Sequence, residues 1–154
     1  MRSEVQQVLQ SPTESQSTTQ SPPSIEESVR AFYKAYEEKD LTTAQNLVAE
    51  QFSFTSPLDN RLGREAYFKI CWPNSKSIEK FEFKHFTVEN EKAFVVYECQ
   101  SKSNKFRNTE ILTVQNGKVT KVEVYFGWDV PHKIPEGEHR DPSQEPQAHP
   151  ITGL

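Results

Sequence analysis

The chain has 154 residues, enough for one domain of ordinary size whose core needs neither metal nor disulfide staples. Its formal net charge of −4 is spread over interspersed acidic and basic residues, with no Lys or Arg block to track a phosphate backbone, so nucleic acid is excluded as an expected partner. Met1 to Gln10 carries Glu4 and three glutamines where a secretory signal needs an apolar run, and no stretch is apolar enough to cross a bilayer; a cytoplasmic location without a membrane partner is expected.

Residues 1–23 form the first unit. Positions 11 to 24 read SPTESQSTTQSPPS, with no apolar residue to offset the entropy of ordering, and a disordered N-terminal arm is expected. At Ser24 the character changes. Ser24 and Glu27 make a capping box behind Pro22-Pro23, and Ile25, Val29, Phe32, Tyr33 and Tyr36 fall on one face of a first helix. Asp40 caps a second helix with Leu41, Ala44, Leu47 and Val48 at helical spacing, so the two helices are expected to form a hairpin. Phe52-Ser53-Phe54-Thr55 alternates as a short strand stopped by Pro57, Asp59-Asn60 supplies turn chemistry, and Gly63 opens a short helix over Arg64 to Trp72 that Pro73 ends.

From Ile78 the pattern is all strand. Residues 78–89, 92–101, 106–115 and 118–127 are rich in Val, Phe, Thr and Tyr, with turns at Glu89-Asn90-Glu91, Ser103-Asn104 and Asn116-Gly117. Four long antiparallel strands next to gathered helices give an α+β class, and a sheet that curls over its helices leaves a concave surface for a ligand. The folded body is expected over 24–133. Residues 134–154 return to charge and proline and are expected to be a disordered tail. Cys71 and Cys99 lack C-x-x-C spacing and no three of His, Cys, Asp and Glu are spaced as ligands, so neither metal nor cofactor is predicted.

The aromatic face of the first helix, the strand FSFTSP, the Gly63-Arg64 helix start and the closing pair TEILTVQNGKVTKVEVYFGW resemble the nuclear transport factor 2-like (NTF2-like) fold, nearest to its SnoaL-like branch with polyketide cyclases and ketosteroid isomerases. The resemblance spans about residues 25–130. It implies a cone of curved antiparallel sheet wrapped around N-terminal helices with a deep pocket, commonly a homodimer formed through the sheet. The fold hosts many activities and does not itself specify one. In the isomerases a general base, Asp, precedes a Pro on the short strand; the matching position here is Ser56 before Pro57, and a Ser with no base beside it cannot take up that proton. The oxyanion pair of a helix Tyr and a strand carboxylic acid falls on Phe32 or Tyr33 and on Glu110.

Strand alternation puts Asn108, Glu110 and Leu112 on one face, with Val122, Val124 and Phe126 on the same interior and Lys121, Glu123 and Tyr125 outward. Glu110 is therefore the main candidate, read either as a desolvated acid or as a surface glutamate paired across strands. Asn108 could fix a substrate oxygen or hold the carboxyl; Arg107 has the opposite parity and reads as surface charge, and Arg64 as structural or solvated. His85 alternates with Phe81 and Phe83 and is a further acid-base candidate, against a satisfied core histidine. Trp128, Asp129 and His132 stand at the rim, as a gate or as an anchoring plug. The expected pocket lining is Phe32, Tyr33, Tyr36, Phe54, Ser56, Phe68, Val122, Val124, Phe126 and Trp128. The functional expectation is a pocket protein for an apolar small molecule with isomerase- or cyclase-type acid-base activity through Glu110. The alternative is a non-catalytic interaction or dimerisation module with a filled pocket.

Overall fold

A computed structural model describes residues 21–144. Of the arm expected over 1–23, residues 1–20 lie outside that range, and of the tail expected over 134–154, residues 145–154 do. Helix α1 runs Ile25–Glu38: the Ser24 hydroxyl accepts from the Glu27 N–H at 3.1 Å and the helix closes on Lys39 in the left-handed conformation. Its buried face holds Val29, Phe32 and Tyr33, where each such side chain contributes about 1.5–3 kcal/mol. Helix α2, Leu41–Leu47, is capped by Asp40, which accepts from Thr43 N–H, and it packs on α1. It ends one residue sooner than its apolar spacing indicates, because Val48 already pairs with Val119 in the sheet.

Strands follow as β1 (Val48–Ser56) and β2 (Asp59–Leu62), then helix α3 (Arg64–Ile70), a 3-10 helix over Trp72–Ser77, and β3 (Ile78–Glu89), β4 (Lys92–Ser101), β5 (Lys105–Gln115) and β6 (Lys118–Asp129). The expected strand limits for β3 to β6 hold within two residues. Two readings are corrected. Asp59-Asn60 is not the turn but the start of β2, with Ser56 opposite Asp59 so that Pro57-Leu58 turn the hairpin. And α3 ends at Ile70, Trp72 and Pro73 continuing in the tighter 3-10 form.

One six-stranded sheet results, in the order β2-β1-β6-β5-β4-β3, with β1 parallel to β6 and all other neighbours antiparallel. The β5–β6 hairpin turns on Asn116 and Gly117, both with positive φ, as its Asn-Gly sequence demands. Register shifts bend the sheet, in β3 between Phe83 and His85 and across β5–β6 between Arg107 and Asn108. Gly127 lies at the second shift, where a Cβ would stand 2.1 Å from the Arg107 carbonyl oxygen; only glycine fits. The sheet stays open, with helix α1 against its concave side and contacts to β3, β4, β5 and β6. Val95, Tyr97, Cys99, Leu112 and Val122 complete the core with the α1 face. No helix among the described residues is long and apolar enough to cross a membrane.

Candidate functional site

On the concave face, β5 presents Asn108, Glu110 and Leu112, opposite Phe126, Val124 and Val122 of β6, in the register that alternation indicates. Glu110 is half-buried at a cavity wall, with both carboxyl oxygens hydrogen-bonded: Tyr33 Oη donates to Oε2 at 2.8 Å and Tyr97 Oη to Oε1 at 2.7 Å. Burial pushes its carboxyl above the usual glutamate range, while the two phenol donors pull in the opposite direction and no cation contributes. The phenols are raised in turn, chiefly by burial and then by the Glu110 charge, so both remain donors. Of Phe32 and Tyr33, it is Tyr33 whose side chain reaches Glu110, from behind the carboxyl rather than from the cavity. Its ring is wedged edge-on among Phe81, Phe83 and Tyr97.

Asn108, 8 % exposed, holds the frame. Its Oδ1 accepts from the Gly127 N–H at 3.1 Å, which locks the bulge, and its Nδ2 stands 3.4 Å from Tyr97 Oη. Asn108 is thus arranged to position Tyr97 on Glu110.

In front of Glu110 lies a cavity of about 210 Å³. Its apolar wall includes Phe32, Phe54, Phe81, Phe106, Val122 and Val124; Tyr36, Tyr67, Tyr97, Asn108, Ser56 and Asp59 add polar groups. The Tyr36 and Tyr67 hydroxyls pair with each other there, both phenols raised foremost by burial. Cys71 also lines it as a free thiol, pushed up to about 12 by burial and therefore a poor nucleophile. Asn74, Ile78, Phe106, Asn108 and Phe126 also line an outer cleft of about 530 Å³, so the cavity adjoins that vestibule. Trp128, Asp129, His132 and Ile134 form its rim, with Trp128 and His132 rings 5.9 Å apart and Lys133 paired to Asp129 at 2.7 Å. The described part of the expected tail therefore begins by lining the cleft.

Other sequence candidates fall elsewhere. His85 is exposed on the outer face: the bulge at Lys84 advances the strand phase by one, so Phe86 turns inward in its place, and His85 is not brought to Glu110. Phe68 packs between Tyr67 and Trp72 under the Arg64 guanidinium, and Trp128 is 51 % exposed at the cleft; neither borders the inner cavity, nor does Tyr33, which stands behind Glu110. Arg64 donates to the Gln45 carbonyl and serves structure. Arg107 faces outward to Glu98 and over Trp128. Several cavity residues escaped the sequence reading, among them Tyr67, Phe81, Phe106, Tyr97 and Asp59. Tyr97 could have been found from its alternation with Val95 and Cys99, given the β4–β5 register. Asp59 accepts the Ser56 hydroxyl at 2.7 Å and lines the cavity; the i, i+3 spacing across Pro57-Leu58 is the signal that carried it.

The profile of the SnoaL-like domain family matches residues 29–122. The chain belongs to the SnoaL-like domain family. Among solved structures it is similar to an NTF2-like protein of unknown function from Cytophaga hutchinsonii at 20 % identity and TM-score 0.61, covering 71 % of this chain and 94 % of that one. A putative polyketide cyclase from Sinorhizobium meliloti follows at 16 % and 0.57, over 64 % and 93 %. An LEH-like epoxide hydrolase from M. tuberculosis stands at 13 % and 0.56, over 65 % and 80 %. These likenesses carry the NTF2-like cone. No curated protein matches the sequence.

Proposed function

We propose that this SnoaL-like domain binds an apolar small molecule in the inner cavity and acts on it by acid-base chemistry through Glu110, in the manner of an isomerase or cyclase. The observation that carries the reading is the carboxyl at the cavity wall, desolvated and clamped by two phenols. Each Glu110 oxygen spends one lone pair on a tyrosine and keeps another for a substrate proton, and a carboxyl raised by burial exchanges protons nearer neutral pH. Tyr97 and Tyr33 would stabilise the charge as the proton comes and goes, and Asn108 would hold Tyr97 in place. The nearby cyclase and epoxide hydrolase structures support the fold as a frame for pocket chemistry, without naming this substrate.

A receptor without turnover is the second reading, favoured by Ser56 where the family's isomerases place their base. A filled-pocket interaction module is less well supported, given the cavity of about 210 Å³. Dimerisation through the outer sheet face belongs to the same proposal, supported by exposed Phe94 and Tyr125, and light scattering of the purified chain tests it.

The deciding experiment incubates the protein in D2O with small cyclic and aryl ketones and follows exchange of the α-protons by NMR. Exchange that disappears in Glu110→Gln supports catalysis. Ligand shifts without exchange in the wild type leave the receptor, and no shifts with any ketone refute the isomerase- or cyclase-type reading.

A further inference from the structure

Charge around the inner cavity is one-sided. Two carboxyl groups border it, Glu110 on β5 and Asp59 at the β1–β2 turn, and no lysine, arginine or histidine is among its lining residues. Arg64 is on the Gln45 carbonyl, Lys39 on the Ile78 carbonyl, and Lys84, Lys105 and Arg107 lie around Glu98 on the opposite face, while Lys133, paired to Asp129, and Arg140 line the outer cleft. Burying a carboxyl with no opposite charge is costly, and the two phenols facing it neutralise nothing. The walls are aromatic, with Phe32, Tyr36, Phe81, Tyr97 and Phe106 among the lining residues. Ring faces attract cations, and they repel an anion as the two carboxyls do.

Size narrows the ligand further. An engineered cavity of about 150 Å³ takes up benzene, so about 210 Å³ admits one ring with a short arm, anything longer reaching into the vestibule.

We infer that the ligand of this cavity is a compact aryl or alicyclic amine, its ring against the Phe and Val wall and its ammonium on Glu110, with Asp59 adding to the field that draws it in. Organic acids of the same size are excluded by charge. This rests on the reading of the cavity as the ligand site, and it names the ligand class that the site selects.

The test titrates the full chain with three matched probes, 2-phenylethylamine, 2-phenylethanol and 3-phenylpropionate, by calorimetry and by NMR shifts of the aromatic side chains. The amine is expected to bind at least about tenfold more tightly than the alcohol, and the acid more weakly than both. Glu110→Gln should remove the preference for the amine while leaving the alcohol within about threefold. Asp59→Asn, at the half-buried start of β2, should lower the amine's advantage more than it changes alcohol binding, and it serves alone should Glu110→Gln fail to fold. Alcohol binding as tight as the amine overturns the amine inference and leaves the cavity a ligand site. A full amine preference kept in Glu110→Gln, or one undiminished in Asp59→Asn, overturns the inference as well. If none of the three probes binds, the inference falls together with the proposed site.

Discussion

Glu98 on β4 and Glu110 on β5 belong to neighbouring strands of one sheet, and their surroundings are opposite. Glu98 faces the outer surface, covered to 5 % exposure by the side chains of Lys84, Lys105 and Arg107 at 3.0, 4.0 and 3.6 Å. The bond from Lys84 foremost, with the other two cations, holds its carboxyl below the usual glutamate range. Glu110 faces inward to phenols and rings, and burial raises it. The same side chain is an ion-paired carboxylate on one face and a carboxyl held by two phenols on the other. Pleat parity decides which, because successive residues point to opposite sides of the sheet.

The largest break in this contrast is expected at Gly127. Gly127→Ala would drive a Cβ into the Arg107 carbonyl, at a site where no flexible side chain can yield, and would release Asn108 from its anchor. A loss of about 3 kcal/mol or more, or no folding at all, is expected in urea unfolding followed by tryptophan fluorescence. Tyr97→Phe is next. It removes the donor to Glu110 Oε1, should cost about 1–3 kcal/mol, and should raise the Glu110 carboxyl further in carbon NMR titrations. An unchanged or lowered carboxyl would break the account of the clamp.

The two glutamates sharpen the comparison through pH. Because Glu110 is raised in the folded protein, the unfolded chain releases that proton first; its stability contribution is full below about 4.3 and is lost as pH climbs through the folded value. Glu110→Gln should remove that fall, leaving the variant's melting temperature less sensitive to pH above 4.3 than the wild type's. Glu98 works in the reverse sense, contributing above its unfolded value and losing the contribution as pH falls through the lower folded one. Glu98→Gln should flatten the acid limb instead, by about 1 kcal/mol or less after screening by solvent, and salt should shrink the difference. Slopes of the same sign in the two variants would refute the two-face assignment.

Much of this fold is written locally. Ser24 with Glu27, Asp40 with Thr43, and Asn116-Gly117 each carry their own capping or turn chemistry, and the long β-branched runs set β3 to β6 within two residues. Glu110, Val122, Val124 and Phe126 share the inner face because a period of two survives along undisturbed strand. It fails for His85, where a bulge at Lys84 reverses the parity, and nothing in FEFKHF marks the inserted residue. Asp59 read as a turn residue, yet Pro57-Leu58 make the turn; Asp59 opens β2 and comes to the cavity only when the hairpin closes and Ser56 meets it.

The chain by itself determined the order and type of its elements, the helical aromatic face and the inward placing of Glu110, all consequences of interactions within a few residues. Tertiary structure alone decided which tyrosines hold that carboxyl. Tyr33 reaches it across 77 positions and Tyr97 across 13, and such meetings depend on the sheet's curvature and register rather than on any spacing along the chain.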